Sequence, residues 1–471
     1  MTPHHISEKQ ENVRKTLSTE RGQAVDRLPV EILSYIFLLC LPIKTSGFPT
    51  LASPKEAPLS ICHVSSSWRQ VALQTSALWT SLVMKVSPED SLLVPERYSQ
   101  VTSFWFSQAG NRLIDLGVTC GDPIAGDGRF SANFMILLVQ PREERIRSLY
   151  LSLEDFGDLC DFLQYQDEED TVSPHIWNFP NLEYLTLGFS FYFPEHTVLS
   201  VFQSMPKLHI VTINDVTFST ELEIHLPWAQ LTSLTIHTIS ETLFRILHTK
   251  CPALETGCFT IDDMNFDAEL PTIDVTLTRL TTFAIHFSIP SDPTIFHGIQ
   301  YPALDNLTLN LPHHTNNPFW IEPEHLFRQL APITTLSLGG HNTSDMISIL
   351  RETKNVTTFT VEFENEHEDV LRAMTLGGED EEDLLPKLSV LRVQVCFRHC
   401  CGSFAVAAFV EMVASRSFSC AAPLGVAPLQ EVWVGVPVNA KTLKVDLDAV
   451  LGEWAHKTDM PLVRYEERKM Y

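Results

Sequence analysis

The 471-residue chain is short of basic side chains: 33 lysines and arginines stand against 58 aspartates and glutamates, a formal charge of −25. A surface of that sign repels a phosphate backbone, and the basic residues are scattered singly or in pairs. Nucleic acid is therefore not an expected partner; acidity favours solubility and, at most, a basic protein. Cysteine is scarce too, with ten in the whole chain and no regular pairing pattern, which excludes a disulfide scaffold. Long apolar runs are lacking. The longest, FAVAAFV at 404–410, falls well short of the ~18 residues that span a bilayer, so no membrane association is expected. The opening stretch MTPHHISEKQENVRKTLSTE has no apolar core and does not read as a signal peptide. The expected compartment is reducing, cytoplasmic or nuclear, and the sequons at Asn306, Asn342 and Asn355 read as chance occurrences.

Catalytic signatures are lacking as well. No nucleophile elbow, phosphate-binding loop, zincin helix or paired CxxC occurs. GDPIAGDG at 121–128 places Asp127 where a phosphate loop needs a lysine, so it reads as a turn. Asp262, Asp263 and Asp267 lack the glycine and distal glutamate of a calcium loop. Cys396, His399, Cys400 and Cys401 are dense enough in soft ligands to suggest zinc, but adjacent cysteines are awkward as simultaneous tetrahedral ligands. Buried or free thiols are the favoured reading. The expectation is a protein with no metal, no cofactor and no enzymatic activity.

What is present is an ordered, core-forming composition, 44% hydrophobic and 19% charged, in which two textures follow one another. Residues 1–24 are polar and read as a flexible segment. RLPVEILSYIFLLCL at 27–41 then reads as a helix. Pro29 suits its first turn, and Leu33, Ile36, Phe37 and Cys40 form an apolar stripe that Ile32 and Leu39 widen. Four prolines make 42–58 a loop. LSICHVSSSWRQVALQTSALWTSLVM at 59–84 is a second helical run, with Ile61, Val64, Trp68, Val71 and Ala72 at helical spacing. A three-helix domain over 25–85 follows.

From residue 113 a different pattern repeats: an aliphatic, two variable positions, an aliphatic, one variable position, an aliphatic. It appears as LIDLGV (113–118), IRSLYL (146–151), LEYLTL (182–187), LHIVTI (208–213), LTSLTI (231–236) and a degenerate LETGCF (254–259). It continues as LTTFAI (280–285), LDNLTL (304–309), ITTLSL (333–338), VTTFTV (356–361), LSVLRV (388–393) and LQEVWV (429–434). The last two aliphatics of each copy have the period of a strand with one buried face. Successive copies start 33, 36, 26, 23, 23, 26, 24, 29, 23, 32 and 41 residues apart, and seven of those intervals lie within the 20–29-residue period of leucine-rich repeats.

Between strands, SETLFRILHTK (240–250), EPEHLFRQL (322–330) and SDMISILRE (344–352) read as helices. The last is capped by Ser344 and buries Met346, Ile347 and Leu350. One helix per copy is expected. The acidic runs Asp167–Asp170 and Glu379–Asp383 repel themselves and read as surface insertions. The fold class is thus α/β: a helical N-terminal domain, a strand-turn-helix solenoid over 100–440 with a parallel sheet on one face, and a C-terminal cap over 441–471 carried by Leu443, Val445, Leu447, Val450, Leu451 and Trp454.

Leu28, Pro29, Glu31, Ile32, Leu33, Ile36 and Phe37, followed by Val64, Trp68, Arg69, Ala72, Leu78 and Trp79, resemble the F-box, in the fungal form whose motif a proline-rich loop interrupts. WFSQAGNRLIDLGV also looks like the first repeat of such proteins. Ser65 stands where a cysteine is common and Ser76 where a proline is common. The usual asparagine ladder is missing, its places being taken by Ser190, Val216, Ile239, Ser288, His341 and Glu364. The resemblance implies a fold of F-box plus leucine-rich repeats. It implies docking on a Skp-type adaptor, and through it a cullin, while the repeats recruit a protein substrate for ubiquitination. The adaptor-binding set would be Leu28, Pro29, Ile32, Leu33, Ile36, Phe37, Val64 and Trp68, although for Trp68 and Trp79 the preferred reading is that they glue the helices to the first repeats. A repeat scaffold working outside any ligase is the alternative.

The variable residue between the last two aliphatics of each copy should line one face. Those positions are Tyr150, Thr186, Thr212, Thr235, Cys258, Ala284, Thr308, Ser337, Thr360, Arg392 and Trp433. Of these, Tyr150, Thr186, Thr212, Thr235, Thr308, Thr360, Arg392 and Trp433 are the expected substrate contacts. Arg392 and Trp433 are the residue types enriched in hot spots.

Overall fold

Three of every six residues in each copy must leave water while the others need not, and an extended backbone meets that demand by alternating its side chains. A computed structural model describes residues 28–42, 53–86, 95–120, 137–153, 177–189, 198–199, 204–214, 223–262, 270–288, 294–310, 326, 329, 332–340, 343–363, 368–377, 383–395, 405–417, 426–437 and 461–468. Every one of the twelve copies lies on a strand. The chain divides into two compact units, Met1–Leu208 with Glu223–Leu226, and His209–Leu222 with Pro227–Tyr471. Both are α/β with parallel strands.

The first unit opens with α1 (Val30–Leu39), α2 (Leu59–Cys62) and α3 (Ser66–Gln74), then a 3-10 turn at Ser76–Trp79. Ser65 starts α3 from an extended conformation, its Oγ accepting the Trp68 N–H at 3.1 Å, a cap worth about 1 kcal/mol. The helical run expected over 59–84 stops at Trp79, and Ser81–Val86 is strand β1. Leu82 and Met84 alternate inward there, but they adjoin the helical Leu78 and Trp79 and do not stand out as a strand. After α4 (Pro95–Gln108) come β2 (Ile114–Cys120), β3 (Ile146–Leu153) and β4 (Tyr184–Phe189), and β1 to β4 pair side by side in parallel. In β2 the inward position moves from Leu113, which is exposed, to the buried Ile114. A register shift between Ile114 and Asp115 accommodates the change.

In the second unit β5 (Ile210–Asn214), β6 (Ser233–Ile239), β7 (Thr256–Ile261), β8 (Thr282–Phe287), β9 (Asn306–Asn310), β10 (Thr335–Gly339), β11 (Thr358–Phe363), β12 (Val390–Val395), β13 (Glu431–Pro437) and β14 (Leu462–Arg468) are parallel neighbours in chain order. The expected cap thus contributes a further strand; 442–454 lie outside the described residues. Copies are stitched by a recurring bond. From β5 to β12 one backbone carbonyl just before the strand accepts two successive N–H groups of the next copy, as His209 does from Thr232 and Ser233, and Thr334 from Thr357 and Thr358. The leading aliphatics Leu231, Leu280, Leu304, Ile333, Val356, Leu388 and Leu429 are all inaccessible to water, each contributing roughly 2 kcal/mol as an upper bound.

Among the described residues, helices α5 (Glu241–Lys250), α6 (Thr343–Glu352), α7 (Glu368–Ala373) and α8 (Val406–Ser415) back some of these copies but not all. The connections leading into β8 and β9 instead contribute the two-residue strands Val275–Thr276 and Ile299–Gln300, which pair in parallel. Pro271 and the β-branched Thr272, Ile273, Val275 and Thr276 disfavour a helix there. α6 begins at Thr343, so Ser344 sits inside it, and Ile349 takes the inner place expected of the half-buried Ile347. Of 322–330, Leu326 and Gln329 are described, and Leu326 is buried. The acidic runs lie outside the described residues apart from Asp383, as do residues 1–24 and 121–128.

The degenerate copy has a packing explanation. Gly257 stands where an aliphatic belongs, and a Cβ there would lie 2.9 Å from the Phe259 ring and 3.3 Å from Phe283. Aromatics fill the space instead: Phe244, Phe259 and Phe283 have ring centroids within 5.4–6.3 Å of one another. His248 is buried among them. Its Nδ1 lies 2.8 Å from the Phe244 carbonyl and its Nε2 lies 3.1 Å from Tyr301 Oη. A carbonyl only accepts, so Nδ1 carries the proton and Nε2 receives the tyrosine O–H. Burial pushes the His248 pKa down to about 4 and raises that of Tyr301.

Among the described residues three arginines are interior. Arg142 donates to the Leu138 carbonyl and Ser103 Oγ, Arg245 to the carbonyls of Pro271, Thr294 and Ile295, and Arg416 to those of Met374, Leu384 and Leu385. Each gathers carbonyls that no regular ladder satisfies.

Candidate binding surfaces

Pro29 precedes α1 in an extended conformation, φ −55° and ψ 145°, and its carbonyl accepts the N–H groups of Ile32 and Leu33. From there the apolar residues of α1 separate into two sets. Leu33 and Phe37 point inward, 4% and 0% exposed, with the Phe37 ring 5.0 Å from that of Trp68. Ile32, Tyr35, Ile36 and Leu39 are 48%, 62%, 37% and 69% exposed. Their i, i+3, i+4, i+7 spacing puts them on one side of the helix. Leu28, Pro29 and Val30 are exposed at its start, and Val64 is exposed after α2.

Five residues of the expected adaptor set, Leu28, Pro29, Ile32, Ile36 and Val64, are therefore open to a partner. Leu33 and Phe37 are core of the segment itself, and Trp68 is half-buried against Phe37. The sequence merged these sets because α1 is apolar on nearly every side, and periodicity alone cannot say which side is inner. Tyr35, Val30 and Leu39 join the open side; the signal that could have found them was the pair of aliphatics already flanking the stripe.

The inner side is well tied. Trp79 Nε1 donates to the Ala72 carbonyl at 2.8 Å, and its ring meets Trp105 edge-on at 4.8 Å, so Trp79 takes the packing role. Thr75 Oγ1 donates to the Val71 carbonyl and is 2.9 Å from Ser34 Oγ, which must supply the proton of that second bond. Arg69 Nε donates to the Cys62 carbonyl at 2.9 Å.

The second surface is the outward face of the strands. In the first unit Val83, Gly117, Tyr150 and Thr186 are paired in one row. Nearby, Arg147 grips the buried Asp115 carboxylate at 2.8–3.0 Å, and that bond raises the guanidinium pKa. In the second unit the row runs Thr212, Thr235, Cys258, Ala284, Thr308, Ser337, Thr360, Arg392, Trp433 and Arg464. The expected positions thus share a row within each unit. All but the buried Gly117 and the exposed Arg392 and Arg464 are half-buried. Arg464 was missed because LVRYEER carries too few apolar residues to read as a strand.

The far end of this row changes character. The Arg464 guanidinium carbon lies 4.8 Å from the Trp433 ring centroid and that of Arg392 lies 5.8 Å away. Arg464 is fixed by Glu431, Nε to Oε1 at 2.8 Å, while Arg392 has no ion pair among the described residues. One step along the strands, Asn310 Nδ2 donates to His286 Nδ1 at 2.9 Å. Burial, and then the neighbouring His237, hold His286 below its ordinary pKa. Gly339 leaves room for that amide, since a Cβ would lie 2.7 Å from Asn310 Oδ1.

Among the described residues no group of histidine, cysteine and carboxylate side chains is placed to hold a metal; Cys396, His399, Cys400 and Cys401 lie outside them. Burial pushes the Cys251 thiol up to about 12 and raises that of Cys258, the opposite of an activated nucleophile. No helix among the described residues is long and apolar enough to cross a membrane.

The class defined by these observations is an α/β protein of parallel strands with two exposed surfaces of different chemistry, one apolar and helical, one polar and stranded. No protein-family model matches the chain, and no curated protein matches it closely enough to count as a relative.

Proposed function

We propose that the chain is a non-catalytic substrate receptor of a cullin-type ubiquitin ligase. In this reading the α1–α3 segment is an F-box that docks on a Skp-type adaptor, and the strand copies are leucine-rich repeats that hold a protein substrate. The observation that carries it is the split of α1 into an inner pair, Leu33 and Phe37, and an outer apolar side of Ile32, Tyr35, Ile36 and Leu39. Four large apolar residues at helical spacing suit a helix-in-groove contact, and the segment gains nothing by leaving them in water. The repeats offer a broad polar face of the kind that stacked repeats use for binding.

The test is direct binding of the full-length chain to a purified Skp-type adaptor. Replacing Ile32→Asp and Ile36→Asp together should weaken binding by at least about tenfold, since a charge would enter the contact while the core residues stay untouched. Val101→Asp, at an exposed position on α4, should leave it unchanged. If the double variant binds as well as wild type, or if wild type does not bind, the adaptor reading fails and a scaffold working outside a ligase takes its place.

A further inference from the structure

We propose that the Arg392–Trp433–Arg464 end of the polar strand face docks an acidic, carboxylate-bearing segment of a protein partner. The inference rests on the reading that this face holds a partner, and it names that partner's chemistry.

Three observations converge. The residues come from three adjacent strands and are paired in one row, Arg392 with Trp433 and Trp433 with Arg464, so their side chains leave the same face of the sheet. The indole is flanked by a guanidinium on each side, at 5.8 and 4.8 Å, which stiffens two otherwise mobile side chains on an aromatic surface. The two cations are held differently. Arg464 is engaged by Glu431 at 2.8 Å, whereas Arg392 is exposed with no ion pair among the described residues.

The neighbours of Arg392 do not cancel its charge. Along its own strand on this face stand Val390 and Gln394, and across the row stand Thr360 and Trp433; the carboxylates diagonal to it are Glu362 and Glu431, of which Glu431 pairs with Arg464 and neither pairs with Arg392. On a chain of net charge −25, this is a local concentration of fork-shaped donors beside an aromatic. Guanidinium groups bind carboxylates bidentately, and an aromatic with arginine is the composition of interface hot spots. The preceding row members, Thr308, Ser337 and Thr360, are small and uncharged, so the row itself sets no carboxylate between an extended acidic chain and the arginine, Glu362 standing one position along the strands from it.

The experiment uses the full-length chain and a fluorescein-labelled hexaglutamate peptide, with hexaglutamine, hexalysine and a phosphoserine-containing peptide of equal length as comparisons. Hexaglutamate should bind in preference to hexaglutamine and hexalysine, more weakly as salt is raised. Arg392→Gln should weaken it about fivefold or more, with Arg392→Lys intermediate because it keeps the charge and loses the fork. Arg279→Gln, at an exposed arginine paired with Glu255, should have no effect. Equal binding by wild type and Arg392→Gln, or no preference over hexaglutamine or hexalysine, overturns the proposal. A phosphoserine peptide binding more than about tenfold tighter than hexaglutamate overturns the carboxylate assignment in favour of phosphate. Arg392 is exposed, so its variants should melt like wild type; should Arg392→Gln melt lower, the lysine variant alone decides. The adaptor assay probes α1 and this one probes the strands, so either reading can fail by itself.

Discussion

Replacing Arg416→Met should cost the second unit about 3–5 kcal/mol, the scale at which breaking a buried hydrogen-bond network registers. The guanidinium is 1% exposed and donates to the carbonyls of Met374, Leu385 and Leu384 at 2.8, 3.1 and 2.5 Å. Methionine fills much of the volume but takes the guanidinium donor from the carbonyls of Met374 and Leu384, each a desolvated acceptor costing about 1–3 kcal/mol when unsatisfied, while Leu385 keeps the Leu388 N–H. Leu385 also holds a positive φ of 48°, a conformation that costs a non-glycine residue about 1–2 kcal/mol. The Arg416 bond to its carbonyl helps keep it there.

Burial holds the Arg416 pKa down to about 10, Asp383 opposing that shift, so the side chain stays charged at neutral pH. Arg416→Lys keeps a charge but has no planar fork to serve three carbonyls, and it should lose nearly as much as methionine. Chemical denaturation followed by circular dichroism measures both. A loss under about 1 kcal/mol for Arg416→Met would mean that the three bonds contribute little net stability.

Acidification should weaken the second unit through His248, by on the order of 3 kcal/mol. The folded imidazole has its pKa pushed down to about 4 from an ordinary 6.5, desolvation being the largest cause. Between those values the unfolded chain takes up a proton that the native one refuses. Stability from this residue is therefore complete above pH ~6.5, declines as pH falls, and bottoms out below pH ~4. Because many carboxylates also titrate in that range, the informative quantity is the difference between wild type and His248→Gln. The variant should show a shallower loss between pH 6.5 and 4, and parallel curves would remove His248 as the cause. Tyr301→Phe should cost about 1–2 kcal/mol at neutral pH, since Nε2 then lacks its donor.

How much of this was legible in the sequence depends on whether a residue's environment is set locally. The twelve copies could be located because burying alternate side chains of a strand forces a pattern within six residues. Their pairing into rows followed from the pattern's constancy. Strands β1 and β14 escaped, the first because Leu82 and Met84 adjoin a helical segment, the second because Arg464, Glu466, Glu467 and Arg468 give an outermost strand a charged character.

The two sides of α1 were visible as apolar but not as inner and outer, which depends on Trp68 and Trp79 arriving from elsewhere in the chain. Arg142, Arg245 and Arg416 look in sequence like surface residues. Their partners lie up to 50 positions away, and nothing local announces a carbonyl that needs a donor. The outward row was read through Arg392 and Trp433, while Arg464 came into view only when β14 placed it beside Trp433.

The residue-for-residue pairing of neighbouring copies also constrains how such a gene can change length. Removing one residue inside a strand would turn every following side chain of that strand inside out, aliphatics to water and threonines to the core. Removing or duplicating a whole copy would offer the next strand an equivalent edge in the same register, with the same carbonyl ready for two amides. Surviving insertions and deletions should therefore fall between strands or arrive as complete copies. The unequal 23- to 41-residue spacing is the first of these outcomes, and within each unit it has left the last two pattern positions of neighbouring copies in register.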